Sequence, residues 1–124
     1  IIEGGTAYLA AINRTDIECK ELELILSQLK DAADANDILR VWEFDSEFHI
    51  KVSKMSHNTL LQACVSTIEE INQACVKRIG KLDFMLEENY MEHYKIYLQI
   101  KDRNPEEAKK AMIAHTIASK NLLL

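Results

Sequence analysis

Asp45 and His49 lie four residues apart. On a helix that spacing puts them one turn apart on the same face, where their side chains can converge on one point. A carboxylate and an imidazole so placed make half of a metal site, although an exposed ion pair has the same spacing. The neighbours favour the first reading. Trp42, Phe48 and Val52 share the face, and an ionised carboxylate among them is costly unless it is paired or binds an ion. His93 and His115 repeat the pattern, each a histidine in an otherwise apolar helical stripe. An aspartate and three histidines meeting from three helices would suit a borderline divalent ion, Zn²⁺ first, with Ni²⁺, Mn²⁺ or Fe²⁺ as alternatives. Mg²⁺ and Ca²⁺, which seek oxygen, match the set poorly. His57, in the polar connection Ser56-His57-Asn58, reads as exposed and outside the cluster.

The elements that must carry these residues are helices. The chain has 124 residues, enough for one core, and reads as a single domain over 1–124. With 3 glycines and 1 proline it has little turn chemistry for a sheet. Apolar spacing near 3.6 residues predicts six helices in an all-α antiparallel bundle. Tyr8, Leu9 and Ile12 close a short first helix, which Gly4-Gly5 should weaken. Thr15 with Glu18 is a capping-box pair opening the second, whose stripe is Leu22, Ile25, Leu26 and Leu29.

The third helix starts near Asp37 and carries Ile38, Val41, Trp42, Asp45, Phe48, His49, Val52 and Met55 on one face. The fourth runs from about Asn58 to Ile79 with Leu61, Cys64, Val65, Ile68, Cys75, Val76 and Ile79 inward, and Gly80 is its expected stop. Leu82, Met85, Leu86, His93, Ile96, Tyr97 and Ile100 define the fifth. Asn104-Pro105-Glu106-Glu107 reads as a cap, a proline at the first helical position and an acidic first turn. The sixth helix follows, with Ala108, Ala111, Met112, His115 and Ala118 on one side.

Composition narrows the function. A net charge of −5 disfavours direct grip on a phosphate backbone, so any DNA contact belongs to another domain. No apolar run reaches the roughly 20 residues that span a bilayer, and no basic-then-apolar leader opens the chain. Cys19, Cys64 and Cys75 are odd in number, form no C-x-x-C pair and read as reduced core thiols of a cytoplasmic protein. The opening Ile1-Ile2-Glu3, already inside a helical pattern, suggests a fragment of something longer.

Several segments, in this order and at these separations, resemble one family. Phe44-Asp45-Ser46-Glu47-Phe48-His49, Ser56-His57-Asn58, Glu92-His93-Tyr94-Lys95-Ile96, Asp102-Arg103-Asn104, and Ala111-Met112 ahead of His115 look like the FadR-type C-terminal (FCD) domain of GntR-family transcription regulators. Glu3 with Ala7-Tyr8-Leu9-Ala10-Ala11 looks like that family's first sensor helix, so the likeness covers nearly the whole chain. It implies a bundle of six or seven helices, joined in the intact protein to an N-terminal winged helix-turn-helix that binds DNA as a homodimer. It also implies that Asp45, His49, His93 and His115 are the metal ligands, the set already reached from the helical faces. The effector it implies is a small carboxylate bound at the metal, clasped by a nearby arginine, with Arg78 the candidate. Asn58 matches a family position near the cavity, although a helix cap explains it equally well.

Two other readings stay open on the sequence. One is a metal-dependent helical-bundle enzyme, against which stand the missing H-E-x-x-H and paired E-x-x-H patterns. The other is a helical module whose metal is purely structural, or that holds no metal at all.

Overall fold

A computed structural model describes the backbone of residues 2–79 and 86–123 and the side-chain surroundings of residues 2–75 and 86–117. The described residues form six helices: α1 Ile2–Asn13, α2 Asp16–Asp34, α3 Ile38–Met55, α4 Thr59–Ile79, α5 Leu86–Lys101 and α6 Pro105–Leu123. The bundle is all-α, as the apolar spacing predicts.

Local signals set the helix starts. The Thr15 hydroxyl accepts from the Glu18 N–H at 3.2 Å and the Glu18 carboxylate accepts from the Thr15 N–H at 2.9 Å, closing the capping box of α2. Asp37 caps α3 through the Arg40 N–H at 3.3 Å. Pro105 is the first residue of α6, while the Asn104 amide turns back to donate to Gln99 Oε1 at 3.1 Å. The expected stop at Gly80, the start of the fifth helix around Leu82 and Met85, and the inward side chains Val76, Ile79 and Ala118 lie outside the described residues.

α1 is the centre of the bundle, touching α3, α4, α5 and α6, while α2 packs on α3 and α5. This position corrects the sequence reading of α1. Its inward residues are Gly4, Thr6, Ala7, Ala10 and Ala11, whereas Tyr8 and Leu9 are partly exposed and Ile12 is 47% exposed. A central helix needs small residues where others approach it. A Cβ on Gly4 would stand 2.9 Å from Ile113 Cγ1 of α6, so the glycine read as a weakness is what lets α6 close against α1. Gly5 meets nothing within 4 Å.

Arginines at the bundle end fix α1 further. Arg103 donates to the Ile12 and Arg14 carbonyls at 3.0 and 3.2 Å, and Arg14 donates to the Lys101 carbonyl at 2.7 Å. They satisfy carbonyls that helix ends leave without partners.

The core joins Leu22, Leu26 and Leu29 of α2 to Val41, Phe44, Phe48, Val52 and Met55 of α3, Ile96, Tyr97 and Ile100 of α5, and Ala108 and Met112 of α6. The expected stripe of α4 is shallower than its sequence suggests. Val65 is buried, Leu61, Cys64 and Ile68 are partly buried, and Cys75 is exposed, so Cys75 is not a core thiol. α4 packs on α3 and α1 alone among the described helices, which leaves much of its surface uncovered.

Candidate metal centre

The buried histidines of the described residues lie together. His49, His93 and His115 are 5%, 0% and 3% exposed, where an imidazole needs partners for both ring nitrogens. Asp45 and His49 come from α3, His93 from α5 and His115 from α6, and one ligand atom from each lies within 4.8 Å of every other. The structure thus brings together all four residues predicted as ligands.

The outward nitrogens show how the cluster is aimed. His93 Nδ1 is 2.6 Å from the Asn89 carbonyl, one turn back on α5. His115 Nδ1 is 2.6 Å from Glu92 Oε1, and His49 Nδ1 is 2.8 Å from Glu3 Oε1 on α1. An acceptor at the Nδ1 of His93 and of His115 holds the proton there and turns the Nε2 lone pair inward, and the Glu3 carboxylate beside His49 Nδ1 favours the same orientation by charge. The three Nε2 atoms accordingly face each other and Asp45 Oδ1: His93 Nε2 pairs closely with Asp45, His49 Nε2 is 3.5 Å and His115 Nε2 3.8 Å from the same oxygen, and His49 Nε2 is 3.3 Å from His115 Nε2.

Such an arrangement requires positive charge at its centre, because lone pairs and a carboxylate otherwise face one another. Protonation shows the demand. Burial alone would lower His49, yet Glu3 and Asp45 outweigh it and raise His49 well above the usual histidine range. Burial likewise opposes His115, which Asp45 and Glu92 raise. His93 is lowered, with burial prevailing over the attraction of Asp45. Asp45 is held well below the usual carboxylate range by His93 and His49 despite its burial. A divalent cation would take the place of that proton, and three imidazoles with one carboxylate are a donor set that zinc and its neighbours accept. The residues therefore fit the metal predicted from the sequence.

The acceptors behind the imidazoles were not visible in the sequence. Glu92 adjoins His93 but backs His115, and Glu3 lies far from His49 in the chain. A further acid, Glu69 of α4, is 3% exposed. Burial pushes its carboxyl up to about 7.

The remaining predicted contacts lie apart from this cluster or beyond view. Asn58 is exposed, and its Oδ1 accepts from the Leu61 N–H at 3.0 Å, the capping role. The side chain of Arg78 lies outside the described residues. His57 is exposed, as expected, and pairs with Glu18 at 3.0 Å.

Fold and site together define a class of protein: a helical bundle that buries a polar centre beside its apolar core. The family model for the FCD domain matches residues 1–118, and the chain belongs to that family, the regulatory domain of GntR-type transcription factors and not an enzyme. Two solved structures share the fold. One is GntR of Streptococcus agalactiae, 24% identical, with a TM-score of 0.82 over 96% of this chain and 52% of that one. The other is McbR/YncC of E. coli, 15% identical, with a TM-score of 0.88 over 98% of this chain and 58% of that one. The chain spans a little over half the length of each. No curated protein sequence matches it. Among the described residues no helix is long and apolar enough to cross a membrane.

Proposed function

We propose that this domain senses a small carboxylate through a divalent transition metal, Zn²⁺ in the first instance, held by Asp45, His49, His93 and His115. The observation that carries the reading is the inward turn of three Nε2 atoms toward Asp45 Oδ1, enforced by an acceptor behind each ring. When bound, the metal supplies a Lewis-acidic attraction for a carboxylate oxygen. The protein residues orient that site and exclude solvent from it. Asp45 and the imidazoles hold the charge, while Glu3, Glu92 and the Asn89 carbonyl fix the ring tautomers.

In the intact regulator, a homodimer with an N-terminal winged helix-turn-helix, the effector would act through different contacts in two arrangements of the dimer. Only such a difference shifts DNA affinity. The acidic charge of this domain, −5, fits a partner domain that handles DNA by itself.

The test is a set of thermal melts after chelation, after Zn²⁺ re-addition, and after adding small carboxylates, amino acids included, to each form. A metal at about 100 times its Kd stabilises by about 2.7 kcal/mol, a rise of roughly 10 °C for a chain of this size. The reading predicts that rise, a further rise with a carboxylate only when metal is present, and loss of both in His93→Ala. An equal carboxylate response in the metal-free protein would overturn it. A metal response with no carboxylate response would point to a purely structural metal.

A further inference from the structure

Glu69 is the buried acid that the four-residue cluster does not use. Its carboxylate is met by neutral groups at the long end of hydrogen-bond range: the Ser46 hydroxyl donates to Oε1 at 3.4 Å and the Asn72 amide to Oε2 at 3.4 Å. Among the described residues every lysine and arginine ion pair goes to another acid. The surroundings are nonetheless ordered for an acid. Gln73 donates to the Trp42 carbonyl and to Ser46 Oγ, each at 2.8 Å, which leaves the Ser46 hydroxyl free to donate toward Glu69.

The location ties this acid to the metal centre. Ser46 follows Asp45 on α3, and His49, Asp45 and Glu3 are the charged groups that Glu69 feels most strongly. Glu69 therefore flanks the cluster from α4, the helix on its side that supplies none of the four ligands. Its hydrogen-bond partners among the described residues are neutral, and the attraction of His49 is opposed by Asp45 and Glu3, so the acid keeps uncompensated negative charge. A ligand seated beside it can supply the counter-charge.

We propose that Glu69 determines the class of ligand: an amino acid, with its carboxylate at the metal cluster and its ammonium group paired with Glu69, in preference to a dicarboxylate. The inference rests on the metal-and-carboxylate reading above. An ammonium would form a charge-assisted hydrogen bond with the carboxylate in a site of low dielectric. A second carboxylate at the same place would meet like charge.

The probes are three matched series: glycine, acetate and malonate; β-alanine, propionate and succinate; and 4-aminobutyrate, butyrate and glutarate. Each is titrated calorimetrically into Zn²⁺-loaded protein, after a titration of Zn²⁺ alone. In at least one series the amino acid is expected to bind about tenfold or more tightly than its dicarboxylate partner. Glu69→Gln should bring the pair to within about twofold, and Glu69→Asp, which keeps the charge, should retain part of the preference.

Failure of Zn²⁺ itself to bind would remove the underlying reading. Zn²⁺ binding with amino acids and dicarboxylates bound equally, with dicarboxylates favoured, or with no probe bound would overturn the role of Glu69 while leaving the metal site standing. A preference that survives unchanged in Glu69→Gln would also overturn it.

Discussion

Two buried polar regions lie side by side in this bundle, and they are completed differently. Around Asp45 three imidazoles converge on one carboxylate, each with an acceptor close to its outer nitrogen, a donor set suited to a cation. Around Glu69 the hydrogen-bond partners among the described residues are a hydroxyl and an amide, with no ion pair to a lysine or arginine. The first region is arranged to hold a metal by itself. The second offers one negative group to whatever is seated next to the metal. The contrast teaches that burial of charge marks a site in two ways: by convergence of donors, or by an acid whose described partners are all neutral.

The comparison can be broken most severely at the ligands. Asp45→Ala or His115→Ala should weaken Zn²⁺ binding by well over the roughly 100-fold that marks the upper end for loss of an outer partner, measured by competition with a chromophoric chelator. Retention of affinity within about tenfold of the parent would show that the cluster is not the binding site.

Next comes the pH dependence of Glu69. Its folded pKa of about 7 lies above its ordinary value of 4.5. Below that ordinary value both folded and unfolded chains are protonated there, and the group costs nothing. As pH rises through the window between the two values the unfolded chain ionises first and gains stability, and above the folded value the whole penalty is present. Glu69→Gln should therefore leave stability near pH 4 little changed and raise it at pH 8 by on the order of 3 kcal/mol in the metal-free protein. Urea titrations at the two pH values measure this, and a difference that stays flat with pH would contradict it.

The outer acids give a smaller effect. Glu3→Gln and Glu92→Gln each keep the shape but weaken the hold on His49 or His115, and each should reduce Zn²⁺ affinity by about 10- to 100-fold. An unchanged affinity in both would mean that the imidazoles are oriented by something else.

The smallest effect compares two adjacent glycines. Gly5→Ala meets open space and should stabilise α1 by up to about 1 kcal/mol through helix propensity. Gly4→Ala pushes against Ile113 Cγ1 and should lose about 1 kcal/mol or more through overpacking, with Glu3 displaced from His49. Equal responses in thermal melts would show that the close approach of α1 and α6 does not matter.

What the sequence revealed and what it hid follow one rule. The starts of α2, α3 and α6 were legible because a cap or a proline acts within a few residues: Thr15 with Glu18, Asp37 with Arg40, Pro105 at the first turn. The clustering of Asp45, His49, His93 and His115 was legible because a polar residue in an apolar stripe is anomalous by itself. Glu69 was hidden, and so were the roles of Glu3 and Glu92, which the resemblance included only as motif residues, since an acid on a helix looks like part of a solvated face until a distant helix covers it. The place of α1 was hidden because Gly4 reads along the chain only as a weak helix former, whereas a central helix admits glycine and alanine where its neighbours approach. Cys75 was misjudged because the α4 stripe is only partly covered by α3 and α1.

The most direct test of the central claim is a calorimetric titration of chelator-stripped protein with Zn²⁺, run in two buffers of different ionisation enthalpy to count released protons. The account predicts one Zn²⁺ per chain, protons released as the shared imidazole proton gives way, and both effects absent in Asp45→Ala. No saturable binding, or binding that Asp45→Ala leaves intact, would contradict it.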